Sequence, residues 1–243
     1  MLRRQDAYGR MIYDYFRGES ATEIVEREDG FISESGGPDA YFAPFRRWPK
    51  HHRLAMRWVR GRVLDIGCGA GRASLYLQQR GHVVVAIDRS PLAIRTVRLR
   101  GVRQARVLSV TALSRRMGTF DTLLLLGNNF GLLANPRRAR WLLARFASLT
   151  PAAGRIVAEV LDPYDTKRPE HRRYHRWNLA RGRMAGQTRI RVRYLDLATP
   201  WFDYLFVSRA ELRRLLRGTQ WSVGRFIDSD GPTYIAVLTR AAL

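Results

Sequence analysis

The chain has 243 residues, 46% of them hydrophobic, which is enough for one large domain with a sizeable core. Forty-three basic residues against 21 acidic ones give a formal net charge of +22. No apolar run approaches the roughly 20 residues that a membrane-spanning helix needs, and the lone cysteine, Cys68, excludes an intramolecular disulfide and a cysteine-rich metal cluster. We therefore expect a soluble cytoplasmic protein with a basic surface, no membrane contact and no bound metal.

The basic charge allows two interpretations. A surface of this charge attracts phosphate groups, and nucleic acid is the obvious anionic partner. However, nearly all of the basic residues are arginine, with Lys50 and Lys167 the only lysines, and codon bias in a GC-rich genome produces the same composition. Short groups such as Arg115-Arg116 and Arg172-Arg173 are scattered along the chain and form no dense block. We favour a solvated surface, and RNA stays the alternative partner.

Residues 1–60 are predicted to form an N-terminal lid of helices and loops. Apolar residues at near-helical spacing predict helices over Gln5 to Phe16 and over His51 to Val59. Between them, Gly30 to Pro49 is rich in glycine, proline and aromatic residues, a composition that predicts a loop. We expect this segment to be accessory to the main α/β core.

In residues 61–161, predicted strands alternate with predicted helices, the pattern of a parallel sheet with crossover helices. The strands are expected at Val63 to Ile66, Val83 to Ile87, Arg106 to Val110, Asp121 to Leu126 and Arg155 to Val160. The helices are expected at Arg72 to Gln79, from Ser90-Pro91 to Gly101, and at Pro136 to Leu149. The second strand is apolar without interruption, as expected for a strand that is buried on both faces.

Residues 162–243 are predicted to complete the same domain. Residues 162–205 form an insertion that is dense in Arg, His, Tyr and Trp, and we predict a hairpin in it from Tyr174 to Leu197. A terminal antiparallel hairpin is predicted from two further strands, Trp221 to Ile227 and Thr233 to Thr239.

The segment Leu64 to Gly71 carries the clearest chemical signal. An apolar strand leads into three glycines at alternating positions, Gly67, Gly69 and Gly71, and a predicted helix follows at once. Glycine is needed where a backbone turns sharply and lies against a ligand with no side chain between them. The context of strand, turn, helix and second strand makes this turn a predicted site for a nucleotide-like ligand. A nicotinamide or flavin fingerprint, G-x-G-x-x-G, would place its third glycine at Arg72, so the G-x-G-x-G turn departs from it.

A G-x-G-x-G turn preceded by Asp65 resembles the first motif of the class I S-adenosylmethionine-dependent methyltransferase family. The resemblance covers residues 61–161 and, loosely, the terminal hairpin. It implies an α/β, Rossmann-like, seven-stranded and mostly parallel sheet with helices on both faces, and S-adenosylmethionine as the cofactor with S-adenosylhomocysteine as its product. Asp65 offers a negative charge to the cofactor's ammonium group, directly or through water. Asp88 ends the second predicted strand, 21 residues after Gly67, and takes the family's role of accepting hydrogen bonds from both ribose hydroxyls.

Further cofactor contacts follow from the same resemblance. After the third strand many relatives place an acidic residue beside the adenine amino group, whereas this chain has Thr111 and Ala112, so Thr111 or a backbone amide takes that place. The fourth strand ends in Gly127 and Asn128, where the family holds the methionine moiety, and Asn128 is either a contact or a plain turn residue. The predicted cofactor-binding set is Asp65, Gly67, Cys68, Gly69, Gly71, Asp88, Arg89, Thr111, Ala112, Gly127 and Asn128.

The catalytic residues are predicted from physical argument. His171, Tyr174 and His175 lie in the insertion, where relatives build their substrate pocket, and a histidine of near-neutral pKa can take a proton from an acceptor atom. The alternative for all three is a solvated surface hairpin. Four aromatic residues of the first segment either form a lid with their faces toward the cofactor sulfonium or pack in the core: Tyr8, Tyr15, Tyr41 and Trp48.

We predict methyl transfer to an O or N atom, with C less favoured, of a small molecule that the N-terminal segment and the insertion enclose. RNA or ribosome-associated methyl transfer is the alternative because of the charge, and a non-catalytic cofactor-binding module is the third class. The cofactor's leaving group is already activated, so the protein mainly has to position the acceptor and exclude water, and a dedicated base is optional. The acceptor's identity and the oligomeric state do not follow from the sequence.

Overall fold

The structure, a computed structural model, describes residues 5–35 and 37–240. Within those ranges it contains eight α-helices: α1 (Ala7–Phe16), α2 (Asp39–Phe42), α3 (Lys50–Ala55), α4 (Arg72–Gln79), α5 (Pro91–Leu99), α6 (Pro136–Ser148), α7 (Pro169–Ala180) and α8 (Arg209–Leu216). The same ranges contain twelve strands: β1 (Ile24–Arg27), β2 (Ile32–Glu34), β3 (Val63–Ile66), β4 (Val84–Asp88), β5 (Ala105–Val107), β6 (Thr122–Leu125), β7 (Arg155–Leu161), β8 (Gln187–Tyr194), β9 (Leu197–Ala198), β10 (Phe202–Leu205), β11 (Trp221–Asp228) and β12 (Thr233–Arg240). The first four residues of the predicted lid and the last three of the predicted terminal segment lie outside the described residues. In the described part of the chain, no helix has both the length and the apolar character to cross a bilayer.

The larger sheet has seven strands in the order β11-β12-β7-β6-β3-β4-β5. The five strands from β7 to β5 in that order are parallel to their neighbours, and β12 pairs antiparallel with both β7 and β11. The chain runs outward from β3 in one direction through β4 and β5 and then returns to β6 on the other side. The sequence prediction of a mostly parallel seven-stranded sheet with an antiparallel terminal hairpin is therefore confirmed.

Apolar side chains cover both faces of this sheet. Leu64 of β3 packs with Phe146 of α6 on one face. The next residue back, Val63, belongs to the cluster on the other face, which includes Leu77 of α4. Successive residues of a strand point to opposite faces, so a strand buried on both sides needs apolar residues without alternation. That requirement explains why the strands of the larger sheet could be recognised from the sequence.

A second, antiparallel sheet was not predicted. Its order is β10-β8-β1-β2, with the short strand β9 also paired with β8. Ile24 of β1 pairs with Arg193 of β8, so the sheet joins the first and last segments of the chain. The expectation of a lid made of helices and loops is corrected accordingly, since β1 and β2 lie within it and the predicted loop Gly30 to Pro49 contains β2 and α2. The division of the chain into three segments stays a prediction.

The predicted hairpin from Tyr174 to Leu197 is wrong in its first half, because residues up to Ala180 belong to α7. α7 begins with proline in its first turn, a favoured position because its missing N–H has no partner there. Its end is tied to β8 by the buried Asn178, whose Nδ2 donates to the carbonyl oxygens of Ala185 (3.0 Å) and Gln187 (2.8 Å). The arginines and histidines of α7 obscure any apolar face, and this is why the helix was missed.

Candidate active site

A cavity of about 800 Å³ lies where the parallel strands of the larger sheet end. Its floor comes from residues that follow β3, β4, β5 and β6, and its roof comes from the smaller sheet. In an open α/β sheet, ligands bind at the carboxyl ends of the strands, where the strand order reverses. The strand order reverses at β3, which lies between β4 and β6, and the cavity lies at that place.

The glycine-rich turn forms one wall of the cavity. Gly67, Gly69 and Gly71 have φ angles of 71°, 54° and 78°, in the left-handed region that favours glycine. Asn129, which the sequence analysis missed, holds the turn, because its Nδ2 donates to the carbonyl oxygens of Ile66 (3.1 Å) and Gly67 (2.8 Å). A Cβ atom at Gly67 would lie 2.5 Å from that Nδ2 atom, so glycine is required for this contact.

Two buried carboxyl groups, Asp65 and Asp88, flank the turn. Oδ2 of Asp88 accepts a hydrogen bond from the Gly69 backbone (3.1 Å), and Oδ1 accepts one from the Ser90 backbone (2.9 Å). Oδ2 of Asp65 accepts a hydrogen bond from the Ser74 hydroxyl (2.6 Å). Burial raises the pKa of each carboxyl group to about 6. Both groups line the cavity, as predicted for cofactor contacts.

Nine of the predicted cofactor-binding residues line the cavity and two do not. Those on its wall are Asp65, Gly67, Cys68, Gly69, Asp88, Arg89, Thr111, Gly127 and Asn128. Gly71 lies behind the turn instead, where an added Cβ atom would meet Val97 at 3.2 Å and Val102 at 3.4 Å, so it serves close packing of the chain. Ala112 follows Thr111 in a short 3-10 helix and is off the wall.

A buried group of His51, His52 and Glu159 supports the end of β6 and was not predicted. Oε1 of Glu159 lies 3.0 Å from Nε2 of His51 and 2.8 Å from Nε2 of His52. Oε2 of Glu159 accepts a hydrogen bond from the Asn128 backbone (3.0 Å). Burial acts to raise the pKa of Glu159, but the hydrogen bond with His51, the close contact with His52 and the bond from the Asn128 backbone outweigh it and lower that pKa well below its ordinary value. The three residues are of types that bind metal ions, and their candidate ligand atoms lie within 4.8 Å of one another. Those nitrogen and oxygen atoms already contact each other.

Arg72 is a second residue that the sequence analysis did not assign to the site. Its guanidinium donates from Nη1 to the Ala40 carbonyl oxygen (2.9 Å), lies 3.0 Å from Nδ1 of His52 and stacks 4.6 Å from the ring centroid of Trp48. Burial lowers the pKa of Arg72. It lines the cavity beside Asp65, and it makes no ion pair with a carboxylate of the described residues. The arrangement presents a cation to the cavity.

Helix α1 covers the glycine-rich turn. Asp6 caps α1 by accepting from the Gly9 backbone (3.1 Å) and also accepts from the Leu92 backbone at the start of α5 (3.1 Å). Tyr8 on α1 lines the cavity, and its ring meets that of Tyr41 edge to face with centroids 5.9 Å apart. Of the four aromatic residues predicted for the lid, Tyr8 and Tyr41 line the cavity, whereas Tyr15 and the buried Trp48 do not. The lid role stays a prediction for Tyr8 and Tyr41.

The roof of the cavity is largely apolar. Its apolar and aromatic residues are Val25, Ile190, Val192, Phe202, Tyr204 and Phe206, from or next to β1, β8 and β10. The polar residues Thr199 and Asp203 line the same part of the wall. The hydroxyl group of Tyr204 donates to the carbonyl oxygen of Asn128 (2.8 Å), which fastens the roof to the end of β6. One acidic residue, Glu23, is buried in this part of the wall.

The three predicted catalytic residues are not brought to the cavity wall. Tyr174 is 1% exposed on α7, and its hydroxyl group donates to Oε1 of Glu28 (2.9 Å). His171 contacts the Thr166 hydroxyl through Nδ1 (2.9 Å), and the ring of His175 faces Tyr164 with centroids 6.0 Å apart. The physical reason is that α7 packs where β1 ends and β8 begins, so these side chains stabilise the smaller sheet at a distance from the glycine-rich turn.

Comparison with known proteins supports the methyltransferase family that the glycine-rich turn predicts. The model of a family described as a methyltransferase domain matches residues 63–152. A 2-heptyl-1-hydroxyquinolin-4(1H)-one methyltransferase from Mycobacteroides abscessus is 48% identical over 84 residues, which is 35% of this chain and 32% of that protein. The match thus spans about a third of the length of this curated relative.

Two solved structures resemble the chain over its whole length. One is a S-adenosylmethionine-dependent methyltransferase from Bacteroides fragilis in complex with S-adenosyl-L-homocysteine, with a TM-score of 0.84, 25% identity, and coverage of 100% of this chain and 98% of the other. The second is the CcbJ methyltransferase from Streptomyces caelestis, with a TM-score of 0.66, 13% identity, and coverage of 98% and 99%. At that identity the second structure supports the fold alone.

Proposed function

We propose, since the chain belongs to the class I S-adenosylmethionine-dependent methyltransferase family, that it transfers the methyl group of S-adenosylmethionine to an oxygen or nitrogen atom of a small molecule. One observation carries this proposal. One cavity joins the glycine-rich turn and Asp88 at one end to a largely apolar roof at the other. A cofactor and a small acceptor can therefore meet inside it, away from water.

The residues of the floor fit the cofactor group by group. The left-handed backbone at Gly67 and Gly69 leaves no side chain between the turn and a ligand. Asp88 can accept hydrogen bonds from ribose hydroxyls, as an acidic residue at the end of this strand does in related nucleotide sites. Asp65 suits the ammonium group, and the buried cation of Arg72 suits the carboxylate of the methionine moiety.

Methyl transfer then mainly requires the protein to position the acceptor and exclude water. When bound, S-adenosylmethionine supplies a methyl group whose leaving group is a neutral thioether. The roof residues hold the acceptor in line and keep water out, which are the two contributions that an activated donor still needs. The hydroxyl group of Tyr204 donates to the Asn128 carbonyl oxygen, and this bond holds the roof of the cavity to the floor near the end of β6.

A small acceptor is supported by the size and lining of the cavity. Pockets for small ligands measure about 300–1,000 Å³ and are mainly apolar, and this cavity of about 800 Å³ has to hold the cofactor as well. The curated relative acts on a hydroxyl-bearing quinolone, which suggests an aromatic hydroxyl or amino compound here too. We keep the cytoplasm as the proposed compartment, because the lone thiol of Cys68 is unpaired and buried.

RNA is not favoured as the acceptor. The arginines that prompted this alternative lie on five separate elements: Arg46, Arg115, Arg137, Arg172 and Arg213. Other guanidinium groups stack on the chain's own aromatic rings, as Arg181 does over Trp177. A nucleic-acid site instead needs a basic patch or stripe that follows the phosphate backbone.

Transfer of labelled methyl groups tests the proposal. The purified protein is incubated with methyl-labelled S-adenosylmethionine and either a small-molecule extract or total RNA of the source cells, with Gly69→Ala as the inactive control. We expect a labelled product of low mass that the variant does not form. Label in RNA, absent with the variant, would contradict the small-molecule proposal, and preferential calorimetric binding of NAD would contradict the cofactor.

A further inference from the structure

The roof of the cavity contains one buried carboxyl group whose two oxygen atoms differ. Glu23 precedes β1, is 4% exposed and lines the cavity. Its Oε2 atom accepts hydrogen bonds from the Tyr41 hydroxyl (2.8 Å) and from the Ser35 hydroxyl. Its Oε1 atom accepts no hydrogen bond from the residues in the described ranges. This oxygen is not fully enclosed, so a water or a ligand group in the cavity can donate to it.

Glu23 shares the cavity wall with both the glycine-rich turn and the residues after β6. Its charge acts on Tyr8, which stands against Gly69, and on Tyr204, which is bonded to the Asn128 carbonyl oxygen. Burial is the main cause that raises the pKa of both tyrosines, and the charge of Glu23 adds to it. Glu23, Tyr8 and Tyr204 all line this one cavity.

The groups that face Glu23 keep it able to accept a proton. They are the hydroxyl groups of Tyr8 on α1, Tyr41 on α2, Ser35 after β2 and Tyr204 on β10, and none of them is a cation. Burial raises the pKa of Glu23 from its ordinary value of 4.5, while the hydrogen bonds from Ser35 and Tyr41 lower it in part. The carboxylate is thus a stronger base than an exposed glutamate.

We propose that Glu23 is the general base of the reaction and that Oε1 receives the proton of the acceptor's O–H or N–H group. This inference rests on the proposed function. As the acceptor's lone pair forms the new bond to the methyl carbon, the carbon–sulfur bond breaks and its electrons stay on sulfur as a neutral thioether. The O–H or N–H bond breaks and its proton passes to the Glu23 carboxylate, so charge and atoms balance.

The proposal defines the chemical class of the acceptor. The acceptor carries a neutral, protic hydroxyl or amino group that points toward Glu23. The rest of it is apolar, because Val25, Ile190, Val192 and Phe202 form the surrounding roof. An anionic group placed at Glu23 is disfavoured, because the described residues that bond to this carboxylate, Ser35 and Tyr41, are uncharged.

A purely structural role for Glu23 makes different predictions. In that case its only task is to bind Ser35 and Tyr41, so removing its charge would lower the midpoint of thermal unfolding and cofactor affinity along with turnover. A general base acts on kcat and on its pH dependence and leaves cofactor affinity unchanged. Glu26 provides the matched control, since it lies three residues along on β1 and pairs with Arg191 (2.8 Å), outside the cavity wall.

The experiment compares wild type, Glu23→Gln and Glu26→Gln. Turnover is measured from about pH 5.5 to 8.5, across the acid limb of a general base, with the first acceptor methylated by the wild type among 2-heptyl-1-hydroxyquinolin-4(1H)-one, 1-naphthol, 1-naphthylamine and the small-molecule extract. We expect Glu23→Gln to lower kcat by about 100-fold or more and to abolish the acid limb. S-adenosylhomocysteine affinity should stay at the wild-type value, and Glu26→Gln should stay within about threefold of wild type in kcat.

Ser35→Ala gives a second readout if Glu23→Gln does not fold. Without that hydroxyl group the carboxylate loses one hydrogen bond to its ionised form, so the acid limb should move to higher pH. A limb that does not move, or a Glu23→Gln variant with the kcat of wild type, overturns the role of Glu23 alone. A wild type that binds S-adenosylhomocysteine but methylates nothing in the panel or the extract overturns the proposed function, and the role of Glu23 with it.

Discussion

The hydroxyl oxygen of Tyr8 lies 2.7 Å from the position that a Cβ atom would take on Gly69. Helix α1 and the glycine-rich turn are thus in contact at the point where Gly69 also donates its backbone hydrogen bond to Asp88. Helix α1 of the predicted lid and the glycine-rich turn therefore depend on each other, so a substitution in the turn affects both.

Gly69→Ala is expected to remove cofactor binding. The added methyl group meets Tyr8 and lies at a φ angle of 54°, so it moves the turn as well as filling the cavity. Gly81→Ala is the matched control, because Gly81 also has a left-handed backbone, with φ of 87°, but nothing within 4 Å. Each variant should lose roughly 1–2 kcal/mol of unfolding free energy. By calorimetry, only Gly69→Ala should lose about 100-fold or more in S-adenosylhomocysteine affinity, and equal affinities would limit the turn to local folding.

Asp88→Asn is expected to weaken cofactor binding by about 1.5–3 kcal/mol, the range for hydrogen bonds to a charged group. The amide keeps the shape of the carboxyl group but replaces one acceptor oxygen by a donor. Calorimetric titration with S-adenosylmethionine and with adenosine measures the loss. The loss should be the same for both ligands, because both carry the ribose. A loss confined to S-adenosylmethionine would place Asp88 at the methionine moiety instead.

Cofactor affinity is expected to rise with pH through about pH 6, because burial raises the pKa of both Asp65 and Asp88 to about 6. The ionised carboxyl groups accept the ligand's hydrogen bonds, so the cofactor binds the deprotonated form and binding releases protons. For one linked proton, affinity should fall by up to about tenfold for each pH unit below that value. Calorimetry in buffers of different ionisation enthalpy counts the protons, and proton uptake on binding would contradict the assignment.

The same two groups affect the unfolding free energy of the free protein in the opposite direction. Their folded pKa lies above the value of 3.8 that an unperturbed Asp has, so the folded state holds its protons more tightly than the unfolded chain. Their contribution to the unfolding free energy is therefore most favourable below about pH 4 and is lost as the pH rises through about 6. Saturation with cofactor should reduce this loss.

Glu159→Gln is expected to destabilise the end of β6. The substitution removes a buried charge that His51 and His52 both contact and weakens the bond to the Asn128 backbone, which should cost about 3 kcal/mol of unfolding free energy. Glu26→Gln, at a half-exposed ion pair, should cost less than about 1 kcal/mol. Urea denaturation measures both. Equal losses would show that the buried group is no more important than a surface ion pair.

The cofactor half of the site was predictable because its parts are consecutive. β3, the glycine-rich turn, α4 and β4 follow one another, and each is set by local rules of burial, backbone angle and capping. Asp65 and Asp88 were therefore assigned from their positions together with the family resemblance of the glycine-rich turn. Glu159 could have been found as well, since a carboxyl group in the middle of the apolar segment Arg155 to Val160 indicates a buried partner.

The roof of the cavity, where we propose that the acceptor binds, was not predictable from consecutive local patterns. β1 has only four residues, two of them charged, and its strand conformation depends on pairing with β8, which lies far along the chain. A local pattern does not contain that pairing. His171 and His175 attracted attention by their chemistry, whereas Glu23 acquires its position only from the pairing of β1 with β8.

The pairing of Ile24 with Arg193 also sets the order in which the two halves can form during protein synthesis. β1 leaves the ribosome long before β8, while the glycine-rich turn, Asp88 and the end of β6 all emerge between them. The cofactor wall can assemble on a nascent chain, but the roof cannot form until β8 has been synthesised, since it depends on non-local pairing. Until then the edge of β1 that pairs with β8 has no partner strand. Glu26 and Arg27 place charges on this strand, and charged residues on an exposed edge disfavour pairing with other chains.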